Sequence, residues 1–196
     1  AAASLFRGGD EGNAELWFTA FWWFHVALVL GFLNYLPYSK HLHVISSVPN
    51  VYFAKLGRRG TLKSLNLQDE TLTRFGAADV EDLTWKQLLD GYTCTECGRC
   101  TAGCPAAITG KLLSPMKIIV DIRQRLVEKA PLLLAGGETA LTAPEAGRQL
   151  VDGYITEDEL WACTTCMACV QECPVQIEHV DAIVDPLQRA DGAHRL

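Results

Sequence analysis

Cysteine occurs at eight positions, and all eight fall in two copies of one run: Cys94-x2-Cys97-x2-Cys100-x3-Cys104-Pro105 and Cys163-x2-Cys166-x2-Cys169-x3-Cys173-Pro174. Three thiols at two-residue intervals can wrap one corner of a cubane iron-sulfur cluster. The fourth, after a longer gap, points elsewhere and ligates the other cluster in two-cluster proteins. The spacing therefore predicts two 4Fe-4S clusters with exchanged fourth ligands: Cys94, Cys97, Cys100 and Cys173 on the first, and Cys163, Cys166, Cys169 and Cys104 on the second. Neither half of such a chain completes its site alone, so folding and cluster loading become one process. Each proline removes a backbone N–H and fixes φ, which turns the chain away from its cluster. Structural zinc normally draws its ligands from C-x2-C pairs separated by a loop, and a third cysteine at the same short interval does not suit it. Disulfides fit such close repeats no better, and a reducing cytosol would keep the thiols free.

The second constraint lies upstream. From Leu16 to Tyr38 no Asp, Glu, Lys or Arg occurs. As a helix this run would cover about 35 Å, enough to cross a bilayer core of about 30 Å. Trp17, Trp22 and Trp23 crowd one half, and Tyr35 and Tyr38 mark the other end, as in the aromatic belts of membrane interfaces. A buried core helix needs no such length. A signal peptide would need a positive start and a small-residue cleavage site, whereas Asp10, Glu11 and Glu15 precede this run. Between Pro37 and Gln68 stand Lys40, Lys55, Arg58, Arg59 and Lys63 with no acidic residue, while the other flank offers Arg7 among three acids. That asymmetry predicts a helix in the cytoplasmic membrane with its C-terminal side, and both cysteine runs, in the cytoplasm. A formal charge of −6 argues against a nucleic-acid partner. No Gly-rich phosphate loop or nucleophile elbow is present.

His25 lies within the apolar run, and His41 and His43 follow its end. An ionisable side chain in a membrane segment is a functional candidate by default. On a continuous helix His43 returns to the face of His25 after about five turns, while His41 falls roughly 160° away. This phase makes His25 and His43 candidate axial ligands of two b-type haems near opposite sides of the membrane, with His41 the substitute for His43. The argument requires a helix that persists through Pro37. It also requires partner histidines on other membrane helices, since one helix completes neither site.

Elsewhere Thr84 to Gln87 and Thr156 to Glu159 read as capping boxes ahead of the two cysteine runs. Ser114 and Pro115 read as N-cap and first position of a helix that carries Ile118, Ile119, Ile122 and Leu126 and ends at Pro131. Ala130 to Gly153 reads as a loop. Ile177, Val180, Ile183, Val184 and Leu187 form a further apolar helical face, which Pro186 should interrupt. Cys104 and Cys163 are far apart, with an amphipathic helix and no alternating strand between them, unlike compact ferredoxins. The expected fold is all-α: one transmembrane helix followed by an α-helical ferredoxin domain with two 4Fe-4S clusters. The expected organisation is an N-terminal segment and transmembrane helix over 1–40 and a membrane-surface helix through Leu56 with an extended connector over 41–82. A two-cluster ferredoxin domain over 83–190 and a tail over 191–196 follow.

The stretches SKHLHVISSVPNVYFAKL, EDLTWKQLLDGYTCTECGRCTAGCP and CMACVQECPVQIEHVDAIVD resemble the heterodisulfide-reductase-related iron-sulfur oxidoreductases. They look most like the membrane-bound electron-transfer-flavoprotein:menaquinone oxidoreductases of that group. The resemblance covers roughly Trp17 to Asp185. It implies that a haem b domain similar to the nitrate-reductase gamma subunit precedes the ferredoxin segment, with haem histidines on its last helix, and that cysteine-rich CCG domains follow. This chain shows one such helix and no CCG motif, so it is expected to be a fragment or to rely on separate subunits. The expected function is an electron-transfer component of an oxidoreductase with no catalytic residues of its own. It would relay electrons between a soluble electron-transfer flavoprotein or CCG-type catalytic unit and haem b and menaquinone or another quinone. A heterodisulfide-reductase-like subunit, or the iron-sulfur subunit of a glycerol-3-phosphate or lactate dehydrogenase, is the alternative within this chemistry. A membrane-tethered cluster sensor is the alternative outside it.

Overall fold

A computed structural model of the chain describes residues 11–39, 41–57, 60–62, 76–136 and 148–193. The chain divides into two units, Ala1–Leu42 and His43–Leu196.

The first unit is built on α1 (Glu11–Tyr35), a helix of 25 residues. Together with the turn that follows, Asn13–Tyr38 is long and apolar enough to cross a membrane, with a mean hydropathy of 1.7. Its apolar side chains, Phe18, Trp22, Leu28 and Phe32 among them, are exposed all round. Hydrophobicity without a polar face belongs to a helix surrounded by apolar material. Trp17 stacks on Phe21 with ring centroids 5.8 Å apart. At Leu36–Tyr38 the helix tightens into a 3-10 turn with Pro37 near its start. Ser39 then leaves the helix at φ −110° and ψ 166°, while its N–H donates to the Leu36 carbonyl. The α-helix therefore ends before Pro37, and a separate helix, α2 (Leu42–Tyr52), follows. The common face of His25 and His43 assumed one continuous helix, and that assumption is corrected here.

The second unit is helical, with one isolated bridge between Val151 and Ile155 and no strand among the described residues. Its elements are α2, α3 (Trp85–Thr93), α4 (Arg99–Ala102), α5 (Pro105–Ile108), α6 (Pro115–Gly136), α7 (Glu157–Trp161), α8 (Ala168–Gln171) and α9 (His179–Ala193). Helix α6 is the central pillar, packed against α3, α4 and α9. Ile118, Ile119 and Ile122 on its inner face are wholly buried with Leu150, Ile155, Leu160 and Ile183. Burying such side chains stabilises by roughly 2 kcal/mol each.

The helix starts follow local chemistry. Thr84 accepts from the Gln87 N–H at 3.3 Å while Gln87 accepts from the Thr84 N–H at 2.8 Å. Thr156 and Glu159 repeat the device at 3.4 and 2.9 Å. The Ser114 hydroxyl caps α6 by accepting from the Lys117 N–H at 3.3 Å. The helix ends do not follow the prolines. Helix α6 runs through Pro131 to Gly136, and α9 runs through Pro186 to Ala193. The stop expected at Pro131 and the interruption expected at Pro186 are both corrected. In α9 a buried row of Val180, Ala182, Ile183 and Val184 carries the helix across the proline. Helix α2 ends at Tyr52, short of the expected Leu56. The expected connector lies largely outside the described residues, as do 137–147 of the expected loop and 194–196 of the tail.

Three charge groups brace the domain, two of them between distant segments. Arg125 on α6 donates Nε to Asp79 Oδ1 at 2.9 Å and NH2 to Oδ2 at 2.7 Å, and Lys129 adds a third bond to Oδ2 at 2.7 Å. Lys117 meets Asp121 at 2.8 Å and Glu159 at 2.9 Å, which joins α6 to α7. Lys86 meets Asp90 at 2.7 Å inside α3.

Candidate iron-sulfur centres

The two cysteine runs fold as copies of one backbone pattern. Two residues after the first cysteine of each run, Glu96 (φ 54°) and Thr165 (φ 51°) adopt the left-handed conformation, and one residue after the second, Gly98 (φ 78°) and Met167 (φ 63°) do so again. Short helices follow at matching positions, Arg99–Ala102 and Ala168–Gln171, and these pack on each other. Left-handed residues alternating with ordinary ones turn successive N–H groups inward, a concavity that favours an anionic ligand. The peptide N–H groups of Glu96 and Thr165 act in this way on the Cys94 and Cys163 thiolates, and that of Arg99 acts on Cys97. The Ile177 N–H donates to Cys173 Sγ at 3.4 Å. The copies also meet where they differ. A Cβ on Gly103 would stand 3.0 Å from Cγ of Glu172, the matching residue of the second run, so glycine gives that side chain its room.

Cys94, Cys97, Cys100 and Cys173 line one small cavity, with Arg99, Met116 and Ile177 also on its wall. Their charges are felt across the set: Cys100 responds to Cys94 and Cys173, and Cys173 to Cys97. On the other side Cys163 responds to Cys104 and Cys166, and Cys169 to Cys163 and Cys104. The first run's first three cysteines thus share a cavity with the fourth cysteine of the second run, while Cys104 lies within electrostatic reach of Cys163 and Cys169, and Cys169 also feels Cys100. Cys100 and Cys169 sit together in a second apolar cluster with Val180 and Val184 of α9. In each run the second cysteine, Cys97 or Cys166, is the exposed one.

Burial, with the neighbouring thiolates behind it, pushes the Cys100 thiol up to about 11 and the Cys169 thiol up to about 12. The peptide N–H of Arg99 instead draws the exposed Cys97 thiol below its ordinary value. A set of buried thiols that resists ionisation gains most from a strongly cationic metal core, which takes up the negative charge. Among the described residues no three His, Cys, Asp or Glu side chains converge as one metal ion would require.

Sequence reading missed the residues around the thiols. Asp90 is wholly buried behind Cys173, accepts from Asn50 Nδ2 at 2.9 Å and from the Glu178 N–H at 3.2 Å, and is felt at the Cys173 thiol. Arg123 on α6 donates to the Cys94 carbonyl at 3.3 Å and pairs with Glu96. Asn50, Asp90 and Arg123 come from three helices, and no local spacing links them. Of the candidate histidines, His25 lies exposed on α1, His41 lies between the helices, and His43 begins the second unit on α2.

Residues 93–177 match the 4Fe-4S dicluster domain family. The chain is 40% identical over 202 residues to the probable iron-sulfur-binding oxidoreductase FadF of Bacillus subtilis, covering 90% of this chain and 28% of that protein. Its homologues are iron-sulfur oxidoreductases. Another of these oxidoreductases, the EtfAB:quinone oxidoreductase of Syntrophomonas wolfei, is 34% identical over 198 residues, covering 93% of this chain and 28% of that protein. A probable membrane-anchored ferredoxin of Chromohalobacter salexigens is 43% identical over 143 residues, 66% of this chain and 20% of that protein. The chain thus spans little more than a quarter of the first two relatives. No solved structure matches it.

Proposed function

We propose that this chain is the membrane-anchored electron-transfer segment of a quinone-linked iron-sulfur oxidoreductase. It would hold two 4Fe-4S clusters, one on Cys94, Cys97, Cys100 and Cys173 and the other on Cys163, Cys166, Cys169 and Cys104. The observation that carries this reading is the grouping of the eight thiols into two crossed sets on a duplicated backbone. When bound, such clusters supply one-electron redox chemistry at potentials set by charge, hydrogen bonds and burial. The residues of this chain do the rest. Inward peptide N–H groups and Arg123 stabilise negative charge, Asp90 opposes it, and α6 and α9 exclude water from Cys100 and Cys169. Exposed Cys97 and Cys166 mark the edges at which a partner's redox centre can approach closely.

In this reading the ferredoxin domain occupies 83–190, with its packing reaching back to Ala77, and α1 spans the cytoplasmic membrane with that domain inside the cell. Basic residues between Pro37 and Gln68 support that orientation. Electrons would pass between a soluble donor, an electron-transfer flavoprotein or a CCG-type unit, and haem b and quinone in the membrane. The relative named EtfAB:quinone oxidoreductase supports the flavoprotein and the quinone among these partners. His25 remains the candidate haem ligand of the span, with His43 or His41 the candidate beyond it.

Metal and sulfide analysis of this purified chain tests the centre, with about eight non-haem irons and eight sulfides per chain expected. Near four irons, or zinc in their place, would refute it. The change Cys104→Ser should damage the EPR signal of the second run's cluster more than that of the first, and the reverse would refute the crossing. His25→Ala should lower the haem count in the pyridine-haemochrome assay while the cluster signals persist. An unchanged count would return that histidine to packing.

A further inference from the structure

Helix α2 is amphipathic the wrong way round for a helix on a soluble domain. Ser46 and Asn50, one turn apart, are its buried residues, while Val44, Ile45, Val48, Val51 and Tyr52 are exposed, Val48 at 72% and Tyr52 at 79%. At 100° per residue the two groups lie on nearly opposite faces. A helix on a water-soluble body turns its apolar stripe inward. Here the inward face is polar: Asn50 Nδ2 donates to Asp90 Oδ1 and to the Val175 carbonyl, each at 2.9 Å, while its Oδ1 is buried without a hydrogen-bond partner; the Ser46 hydroxyl donates to the Tyr92 carbonyl and the Thr93 hydroxyl donates to the Ser46 carbonyl, both at 3.4 Å. The apolar face continues past the helix into a cleft of about 660 Å³, with Phe53 and Leu56 on its wall and the Phe53 ring set edge-on to Trp85 at 5.1 Å.

We propose that α2 lies flat in the bilayer interface, with Val44, Val48, Val51 and Tyr52 among the lipids and Ser46 and Asn50 clamped to the iron-sulfur domain. Connectivity argues for lipid as the occupant. Only Ser39 to His41 separate the apolar span Asn13–Tyr38 from α2, so the covalent chain holds the start of α2 within about 14 Å of the end of that span. Composition agrees: the sequence from Pro37 to Gln68 carries basic and no acidic residues, as a segment beside anionic headgroups would. Lys55 among these is itself paired with Asp181 at 2.6 Å. Tyr52 and Trp85 are side-chain types that favour that depth. This inference rests on α1 being a membrane span.

The test uses the full-length protein in its native membrane, with p-benzoylphenylalanine placed at Val48, at Tyr52, at Val127 of α6 and at Leu28 of α1. After irradiation, the mass of the labelled peptide identifies what it met. Lipid adducts at Val48 and Tyr52, several-fold above Val127, which is itself 55% exposed, are expected. Protein adducts at Val48 and Tyr52, or yields no higher than at Val127, overturn the proposal. Leu28 reports on the span separately: lipid at Leu28 but not at Val48 refutes the interfacial helix alone, and no lipid at Leu28 refutes the anchor as well. Retained visible absorbance of the clusters verifies that each labelled protein is folded.

Discussion

The residues that matter most to the centre are those that let peptide N–H groups face sulfur. Gly98 sits at φ 78° with open space where a Cβ would go, whereas the matching position in the other run carries Met167 at φ 63°. Gly98→Ala should therefore destabilise the loaded protein by about 1 kcal/mol through backbone strain alone, read as a lower thermal midpoint at unchanged iron content. Met167 accepts that strain and in return packs against the apolar cluster of Cys100 and Cys169. The eight cysteines were legible because their spacing is itself the chemistry. Asp90 was not, because its burial behind Cys173 depends on how α3, α2 and α9 assemble. Its buried carboxylate raises the energy of added negative charge nearby, so Asp90→Asn should shift the potential of the cluster held by Cys173 upward and leave the other nearly unchanged. EPR-monitored redox titration measures both, and equal shifts would place the effect elsewhere.

At the scale of elements, starts were legible and stops were not. Both capping boxes and the Ser114 cap are bonds within four residues, so sequence and structure see the same thing. Pro131 and Pro186 lie inside helices. Losing one N–H costs a few kcal/mol, which the tertiary packing of α9 on α6 and α7 outweighs. The helix break at Leu36 to Ser39, which removes the phase argument for His25 and His43, falls at Pro37. The ties between elements were wholly illegible, Asp79 and Arg125 being distant in sequence. Burial pushes the Asp79 carboxyl up, but hydrogen bonds from Arg125 and Lys129 outweigh it and hold it below the ordinary 3.8. A lowered native pKa means stability that is present above about pH 4 and lost as the pH falls through the native value. Asp79→Asn should cost about 3 kcal/mol or more at neutral pH, since Arg125 stays buried without its carboxylate. It should also flatten the fall in stability below pH 4. Denaturant titration at several pH values checks both, and a variant with an unaltered acid limb would show that other groups govern it.

For the whole molecule, the sequence suggested a membrane-surface helix after the span but did not say which of its faces turns inward. That fact assigns an order to the two centres. The polar face of α2 bonds to Tyr92 and Thr93, beside Cys94, and to Val175, two residues after Cys173. Cys94 and Cys173 both belong to the first cysteine set. If the outer face of α2 rests on lipid, the cluster of the first set is the nearer to the bilayer, and electrons exchanged with the membrane pass by that side of the domain. A dysprosium chelate on lipid headgroups measures this order, because it accelerates the electron-spin relaxation of the nearer cluster more strongly. Signals are assigned with Cys97→Ser and Cys166→Ser, which alter one set each at its exposed member. Greater acceleration in the first set is expected. Greater acceleration in the second would mean that the domain meets the membrane by another face, even if both clusters and their crossed ligands stand.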